Sequence, residues 1–243
     1  MGPDVPAGAL TDRDSPVDAA PESRRAASPF REYAEVVLVA VVFALFVRTF
    51  LVQAFVVPTP SMENTVLVGD HLVVNKFIFA AHRWGRFLPY RDLRRGDVFV
   101  FKFPEDPQRD FIKRAVALPG DVLEIRDKIL FVNGERQPDL RAIHAESRIW
   151  HDDRELPDAL RRRDQLAATR IAAGSVFAMG DNRDSSYDSR FWGAVPASNV
   201  KGSALFIYWS FAPPSLPRGA GLSGRIQDLF GRTRWSRTLL AVR

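Results

Sequence analysis

The 243-residue chain contains no cysteine. Disulfides, thiolate nucleophiles and cysteine-ligated zinc are therefore excluded. Histidine is scarce too, occurring only at His71, His82, His144 and His151. No H-x-x-x-H spacing and no G-x-S-x-G motif is present. The histidine pair of a helical zinc site and the common serine-hydrolase signature are thus both missing. His71 follows Asp70, and His151 precedes Asp152-Asp153, but neither has a spaced partner, and both read as surface histidines. Internal repeats are absent as well.

What is present begins with apolar residues, 46% of the chain, enough for a real core in one or two domains. The formal charge is +5, with an isoelectric point near 9.9. Much of the excess is arginine, placed before an N-terminal apolar run and near the C-terminus. Anionic lipid headgroups explain that placement as well as nucleic acid does, and the apolar run favours lipid. No nucleic-acid partner is expected.

Residues 1–30 are rich in Pro, Ala, Asp, Ser and Arg without apolar periodicity, and read as a disordered cytoplasmic tail. Residues 34–53 read AEVVLVAVVFALFVRTFLVQ. Twenty helical residues span about 30 Å, the thickness of a bilayer core. Glu35 and Arg48 sit near the ends, within reach of headgroups. A buried core helix or a cleaved signal peptide would share this composition. No small-x-small cleavage site follows, however, and the run is long for a signal's apolar region. An uncleaved transmembrane anchor is the preferred reading. Arg24, Arg25 and Arg31 precede it, so the N-terminus is expected in the cytoplasm and the chain beyond residue 54 outside.

After the anchor the pattern turns to strands. Candidates are Asp97–Phe103, Arg109–Leu118, Val122–Ile125, Lys128–Val132, Val176–Met179 and Ala204–Trp209. Arg126-Asp127 is expected to close a hairpin, and Asn133-Gly134 is a second turn signal. Short strands punctuated by Gly, Pro and Asp predict a mainly β fold: a transmembrane helix, then an antiparallel β-rich domain over 54–211 with a small inserted cap at 135–173. Residues 212–243 form a Pro/Gly/Ser linker, Pro213–Gly224, and a basic segment, Arg225–Arg243. In that segment Ile226, Leu229, Phe230, Trp235, Leu239 and Leu240 recur at near-helical spacing. It reads either as an amphipathic segment touching lipid or as a helix packed on the domain.

Two residues carry the candidate chemistry. Ser61 lies in Pro58-Thr59-Pro60-Ser61-Met62, just after the anchor. Lys113 lies in a strand whose period-two face it shares with Phe111, Ala115 and Ala117. A lysine titrates near ~10.4 and cannot accept a proton at neutral pH. An apolar setting can lower that by roughly 3–5 pH units, which a lysine base requires. Taken singly, Ser61 reads as a loop serine and Lys113 as a surface lysine. A third block, Gly180 to Arg190 followed by Phe191-Trp192-Gly193, packs Asp, Asn, Ser and Arg between two strand candidates. Such a cluster can satisfy its own donors and acceptors and hold a catalytic wall rigid.

Together these segments resemble the type I signal peptidases. The resemblance covers about residues 34–211 and rests on the anchor, PTPSMENTV at 58–66, Gly69-Asp70, KRAVALPGD at 113–121 and GDNRDSSYDSRFWG at 180–193, in the family's order. It implies a serine-lysine endopeptidase of the bacterial inner membrane that removes signal peptides from exported preproteins, with its catalytic face close to the bilayer. It also implies roles: Ser61 as nucleophile, Lys113 as general base, Thr59 as an oxyanion-hole hydroxyl, and Ser186 orienting the lysine. The substrate-pocket positions fall on Phe55, Val57, Pro58, Met62, Val66, Phe111 and Ile112. The structural polar network falls on Arg114, Asp181, Arg183, Asp188 and Arg190. No metal or organic cofactor is implied. The chain departs from many members in having Pro60 before the serine and threonine at 59; the hydroxyl is retained.

Two other readings stand beside this one. A self-cleaving, repressor-type serine-lysine protease would share the dyad but has no use for an anchor. A non-catalytic, membrane-tethered binding module of the same fold has no need of Ser61, Lys113 and Ser186 together.

Overall fold

The computed structural model describes residues 29–79, 90–151, 157–212 and 229–243. The tail before residue 29 with Arg24 and Arg25, His82, Asp152-Asp153, the linker Pro213–Gly224, and Arg225 and Ile226 lie outside the described residues.

The first element is α1, Pro29–Phe46, which continues through a wider turn at Val47–Leu51. The apolar helix Phe30–Leu51 has mean hydropathy 2.3, and none of it is buried in protein. Its Val, Leu and Phe side chains face outward on all sides, which suits a hydrocarbon solvent. The helix stops before residue 53, because Val52 and Gln53 already pair with Asn75 and Val74 in a sheet.

That sheet has seven strands: β1 Val52–Val56, β2 Asp70–Asn75, β3 Val98–Lys102, β4 Asp110–Ala117, β9 Ser175–Met179, β10 Val195–Pro196 and β11 Val200–Ser210. Their order is β1-β2-β11-β3-β4-β9-β10. A second sheet, ordered β7-β6-β5-β8, contains β5 Val122–Arg126, β6 Ile129–Val132, β7 Glu135–Arg136 and β8 Leu166–Arg170. Every pairing between these strands is antiparallel. The helices α2, Asp158–Asp164, and α3, Ser189–Trp192, are short. The fold is mainly antiparallel β with an N-terminal apolar helix.

The β5–β6 hairpin turns at Asp127-Lys128, one residue later than Arg126-Asp127. Both turn residues have positive φ, 50° and 67°, as a tight two-residue hairpin needs, and Arg126 pairs with Ile129. The register buries Leu123, Ile125, Leu130 and Val132; a one-residue slip would turn them to solvent. These four pack with Val116, Ala117, Phe177 and Met179, so the second sheet shares a core with β4 and β9. The predicted insertion 135–173 contains β7, α2 and β8.

The basic C-terminal segment is not one amphipathic helix. After a helical turn from Leu229 and a 3-10 turn at Trp235–Arg237 it runs beside β11, with Leu239 N donating to Ile207 O at 2.7 Å and Val242 N to Leu205 O at 2.9 Å. Backbone bonding to the half of β11 beyond its pairing with β3 overrides the helical spacing of its apolar residues. Leu239 and Trp235 remain exposed.

Candidate active site

Ser61 sits in a short 3-10 turn, Pro60–Met62, that follows β1, not on a strand beside Lys113. Pro60 stands at the start of this turn, where its fixed φ is favourable and its missing N–H costs nothing. Met62 is fully buried and anchors the turn in the core formed with Val57, Val66 and Ile112. Asn182 fastens it from outside: its N–H donates to Ser61 O at 3.1 Å, and its side-chain amide to Pro60 O at 3.4 Å.

Lys113 lies in the central strand β4, opposite Phe99 of β3. Arg114 faces Met179 on the other side, so one step further along that register Gly180 falls opposite Lys113. The lysine is 4% exposed, and its Nζ stands 2.5 Å from Ser61 Oγ and 5.7 Å from the centre of the Phe111 ring. Protonated, the amine donates to the hydroxyl; neutral, it accepts from it. Burial pushes Lys113 down to about 8. The Asp188 charge works against that fall, Arg190 reinforces it, and Asp181 opposes it again.

Gly180 must be glycine for steric reasons. A Cβ there would stand 2.3 Å from both Ser61 O and Ser186 Oγ. This contact brings Ser186 beside the nucleophile's backbone. Ser186 is buried; its Oγ has no partner in ideal geometry but lies toward the Asp188 carboxylate, where hydrogen bonding from the hydroxyl helps to lower that group. Thr59 Oγ1 lies 3.4 Å from Ser61 Oγ.

Two of the ion pairs made by charged residues of the third block are forked and buried. Arg114 grips Asp181 with two bonds, of 2.7 and 2.6 Å, and also donates to Thr65 Oγ1 at 3.0 Å. Arg190 grips Asp188 at 2.9 Å through both Nε and Nη2. Burial alone would raise the Asp188 carboxyl, but the Arg190 charge and hydrogen bonds hold it below the usual carboxylate range. Forked pairing of this kind fixes orientation as well as charge. Arg183 donates to Gly180 O at 3.0 Å and pairs with Asp139. The network therefore encloses Gly180 and the dyad.

A cleft of about 560 Å³ opens over the dyad. Phe55, Pro58, Phe111 and Ile112 line it, together with Thr59, Ser61 and Lys113. Val57, Met62 and Val66 do not reach its surface; each is at most 1% exposed, and they form the core behind the nucleophile turn. Sequence reasoning missed Arg109, Asp110, Ser185 and Tyr187, which complete the wall. Asp110 opens the Lys113 strand and Arg109 directly precedes it, so their position was the available signal. Tyr187 stacks on Phe191, packs edge-on to Phe103 and donates to Glu105 at 3.4 Å. A larger groove of about 750 Å³ lies against β6 and the insertion, and neither Ser61 nor Lys113 touches it.

Comparisons with known proteins identify the family. Residues 30–209 match the family described as signal peptidase, peptidase S26. A signal peptidase I of Pseudomonas fluorescens is 34% identical over 76% of this chain and 74% of its own length. One from Aquifex aeolicus is 31% identical, covering 71% of this chain and 81% of its own. A solved signal peptidase I from Enterococcus faecalis V583 aligns with TM-score 0.34 and 27% identity, over 46% of this chain and 97% of its own. With three quarters of its length matched, the chain belongs to the S26 family of signal peptidases, and is a serine endopeptidase.

Proposed function

We propose that the protein cleaves signal peptides from exported preproteins by a Ser61/Lys113 dyad, through an acyl-enzyme. The observation that carries this is the 2.5 Å approach of Lys113 Nζ to Ser61 Oγ in a buried site. A lysine pushed down to about 8 is partly neutral at physiological pH, and so can act as a base.

The neutral amine takes the Ser61 proton as Oγ bonds to the scissile carbonyl carbon. The resulting oxyanion is held by the Ser61 N–H and the Thr59 hydroxyl, one such donor being worth roughly 3–4 kcal/mol. The lysine ammonium gives its proton to the leaving nitrogen as the C–N bond breaks. The amine, neutral again, takes a proton from water as the water oxygen bonds to the ester carbon, and returns it to Ser61 Oγ as the C–Oγ bond breaks, restoring the hydroxyl and the neutral amine. Ser186 orients the amine, and the two arginine–aspartate pairs hold the wall. The substrate lies extended between the Phe55–Val57 and Phe111 strands, adding backbone bonds. The apolar wall of Phe55, Pro58, Phe111 and Ile112 suits small side chains one and three positions before the cut.

The exposed apolar helix supports membrane anchoring. In our reading it spans the bacterial inner membrane once, with the N-terminus in the cytoplasm and the catalytic domain outside. Protease added to spheroplasts should digest epitopes beyond residue 60 and spare one before residue 30; reversed protection rejects this topology.

Incubating a preprotein with purified protein in detergent tests the function. Cleavage that Ser61→Ala and Lys113→Ala both abolish supports the dyad. A folded wild-type protein that binds preproteins without cutting them would be a binding module.

A further inference from the structure

Asp70, at the start of β2, is fully buried and is held by two arginines more than 160 residues away in the chain. Its Oδ2 accepts from Leu67 N at 2.8 Å and from Arg237 Nη2 at 2.7 Å. Its Oδ1 accepts from Ser210 Oγ at 2.5 Å and Arg234 Nη2 at 3.3 Å. The same guanidinium groups reach past the carboxylate to backbone oxygens. Arg237 Nη2 donates to Thr65 O at 3.0 Å, and Arg234 Nη2 to Val68 O at 2.7 Å. Thr65 and Val68 belong to the loop of residues 63–69, which joins the nucleophile turn to β2.

The other side of that loop faces the catalytic wall. Thr65 Oγ1 donates to Asp181 Oδ2 at 2.5 Å, and Asn182, next to Asp181, binds Ser61 O. Gly69 lies flush on the end of β11; a Cβ there would stand 1.9 Å from Phe211 O, and its φ is +84°. The segment carrying the two arginines is itself seated on β11 by backbone bonds, with Val242 packed against the core behind Ser61. Arg243 O accepts from Arg114 at 3.3 Å. The loop is thus gripped between a distal strap and the wall of the dyad.

We propose that Arg234 and Arg237 are positioning residues for the nucleophile: through Asp70 and the Thr65 and Val68 carbonyls they hold the 63–69 loop, and with it Ser61, against Lys113. The inference rests on the reading of Ser61 as nucleophile. A fork that binds a carboxylate and a carbonyl at once suits arginine and not lysine. A reacting atom displaced by about 1 Å can lose ~100-fold in rate, so slack in this loop reaches the chemistry without altering the cleft that binds substrate.

The test uses the full chain in detergent with a preprotein substrate, measuring kcat, KM and melting temperature for Arg234→Gln, Arg237→Gln, Asp70→Asn and the double variant Asp70→Asn/Arg237→Gln. Arg237→Gln and Arg234→Gln should each lower kcat by about tenfold or more while KM stays within about twofold. The Asp70→Asn/Arg237→Gln pair should be clearly less than additive in kcat, since both act through one contact. Wild-type kcat in both glutamine variants overturns the proposal. So does a kcat loss that disappears when the assay is cooled well below each variant's melting temperature, which marks a purely structural role. Should Arg237→Gln not fold, Arg237→Lys replaces it: a folded lysine variant with reduced kcat and unchanged KM supports the clamp, and wild-type kcat overturns it. Ser61→Ala separates the two claims. If it keeps turnover, the dyad reading fails; if it is inactive while the arginine variants are fully active, only the clamp fails.

Discussion

Two lysines of this domain have largely covered side chains, and they meet different partners. Lys113 in β4 is 4% exposed, and its amine meets a serine hydroxyl. It forms no ion pair with a described carboxylate; Asp188 and Asp181 act on it only from a distance. The side chain of Lys128, in the β5–β6 turn, is 9% exposed, with Asp184 at 3.1 Å and Asp164 at 3.8 Å. It also donates to Glu146 O at 2.8 Å. A buried ammonium that meets carboxylates is a fastener. One that meets a hydroxyl under apolar cover is driven toward the neutral amine. Burial alone therefore does not mark the base; the first polar atom that the nitrogen meets does.

The largest break in this comparison comes from removing the dyad. Ser61→Ala and Lys113→Ala should each lower preprotein turnover by about a thousandfold or more, with the protein still folded and membrane-bound. Lys113→Arg should fail equally, because a guanidinium stays protonated. Lys128→Met should leave kcat of the folded protein within about twofold, since neither it nor its partners Asp184, Asp164 and the Glu146 carbonyl line the cleft over Ser61. Substantial turnover by either Lys113 variant removes the distinction between the two lysines.

Stability should separate them with opposite signs. The Lys113 pKa falls from 10.5 unfolded to about 8 folded. Between those values the unfolded chain binds more protons, so stability rises with pH across that window, and below about 8 the full cost is present. At pH 7 Lys113→Met should therefore stabilise the fold, by roughly 3 kcal/mol at 1.36 kcal/mol per pH unit. Lys128→Met leaves Asp184 and Asp164 short of a cation and should destabilise by about 3 kcal/mol. Arg163, 3.0 Å from Asp164, keeps that loss at the low end. Urea unfolding of both variants at pH 7 measures this. Destabilisation by Lys113→Met would show that its amine is held as a paired charge.

How far the sequence reveals this contrast depends on the range of the interactions. Strand period-two geometry placed Lys113 among Phe111 and Ala115 because alternation is local. The Asn133-Gly134 turn was legible for the same reason; both residues have positive φ, 55° and 81°. The hairpin at Asp127-Lys128 was misplaced by one residue because register is decided by which side chains reach the core, and that requires the partner strand. β2 escaped notice because its burial alternates within a short segment, Asp70–Asn75, that follows directly on motif residues. The retreat of Val57, Met62 and Val66 behind the cleft was also invisible. Proximity in sequence to Ser61 says nothing about which side of a 3-10 turn faces substrate. The contacts of Asp70 with Arg234 and Arg237 span the domain and leave no local signature.

A smaller effect belongs to Ser186. Its hydroxyl is buried beside Gly180 and bears on the Asp188 carboxylate, whose charge acts on Lys113. Ser186→Ala should reduce kcat by roughly tenfold, about 1.4 kcal/mol in barrier, and change KM much less, because it orients the base without holding substrate. A variant that raises KM and keeps kcat would assign Ser186 to the pocket.

The smallest expected effect is that of the histidines, and it sharpens which group titrates. Catalysis requires neutral Lys113, so turnover should rise with pH and level off above about 8. At pH 7 only about a tenth of the enzyme would carry the neutral amine, so kcat/KM should grow about tenfold from pH 7 to its plateau. A histidine base would level off lower. His144 is pushed down by burial and then by the Arg183 charge, away from a limb near pH 8. Replacing His71, His82, His144 and His151 together by Gln should leave the rate within about tenfold and the limb near pH 8 unmoved. If the fourfold variant is folded and inactive while Lys113→Ala keeps its rate, the base is a histidine, and the difference between the two buried lysines has no bearing on catalysis.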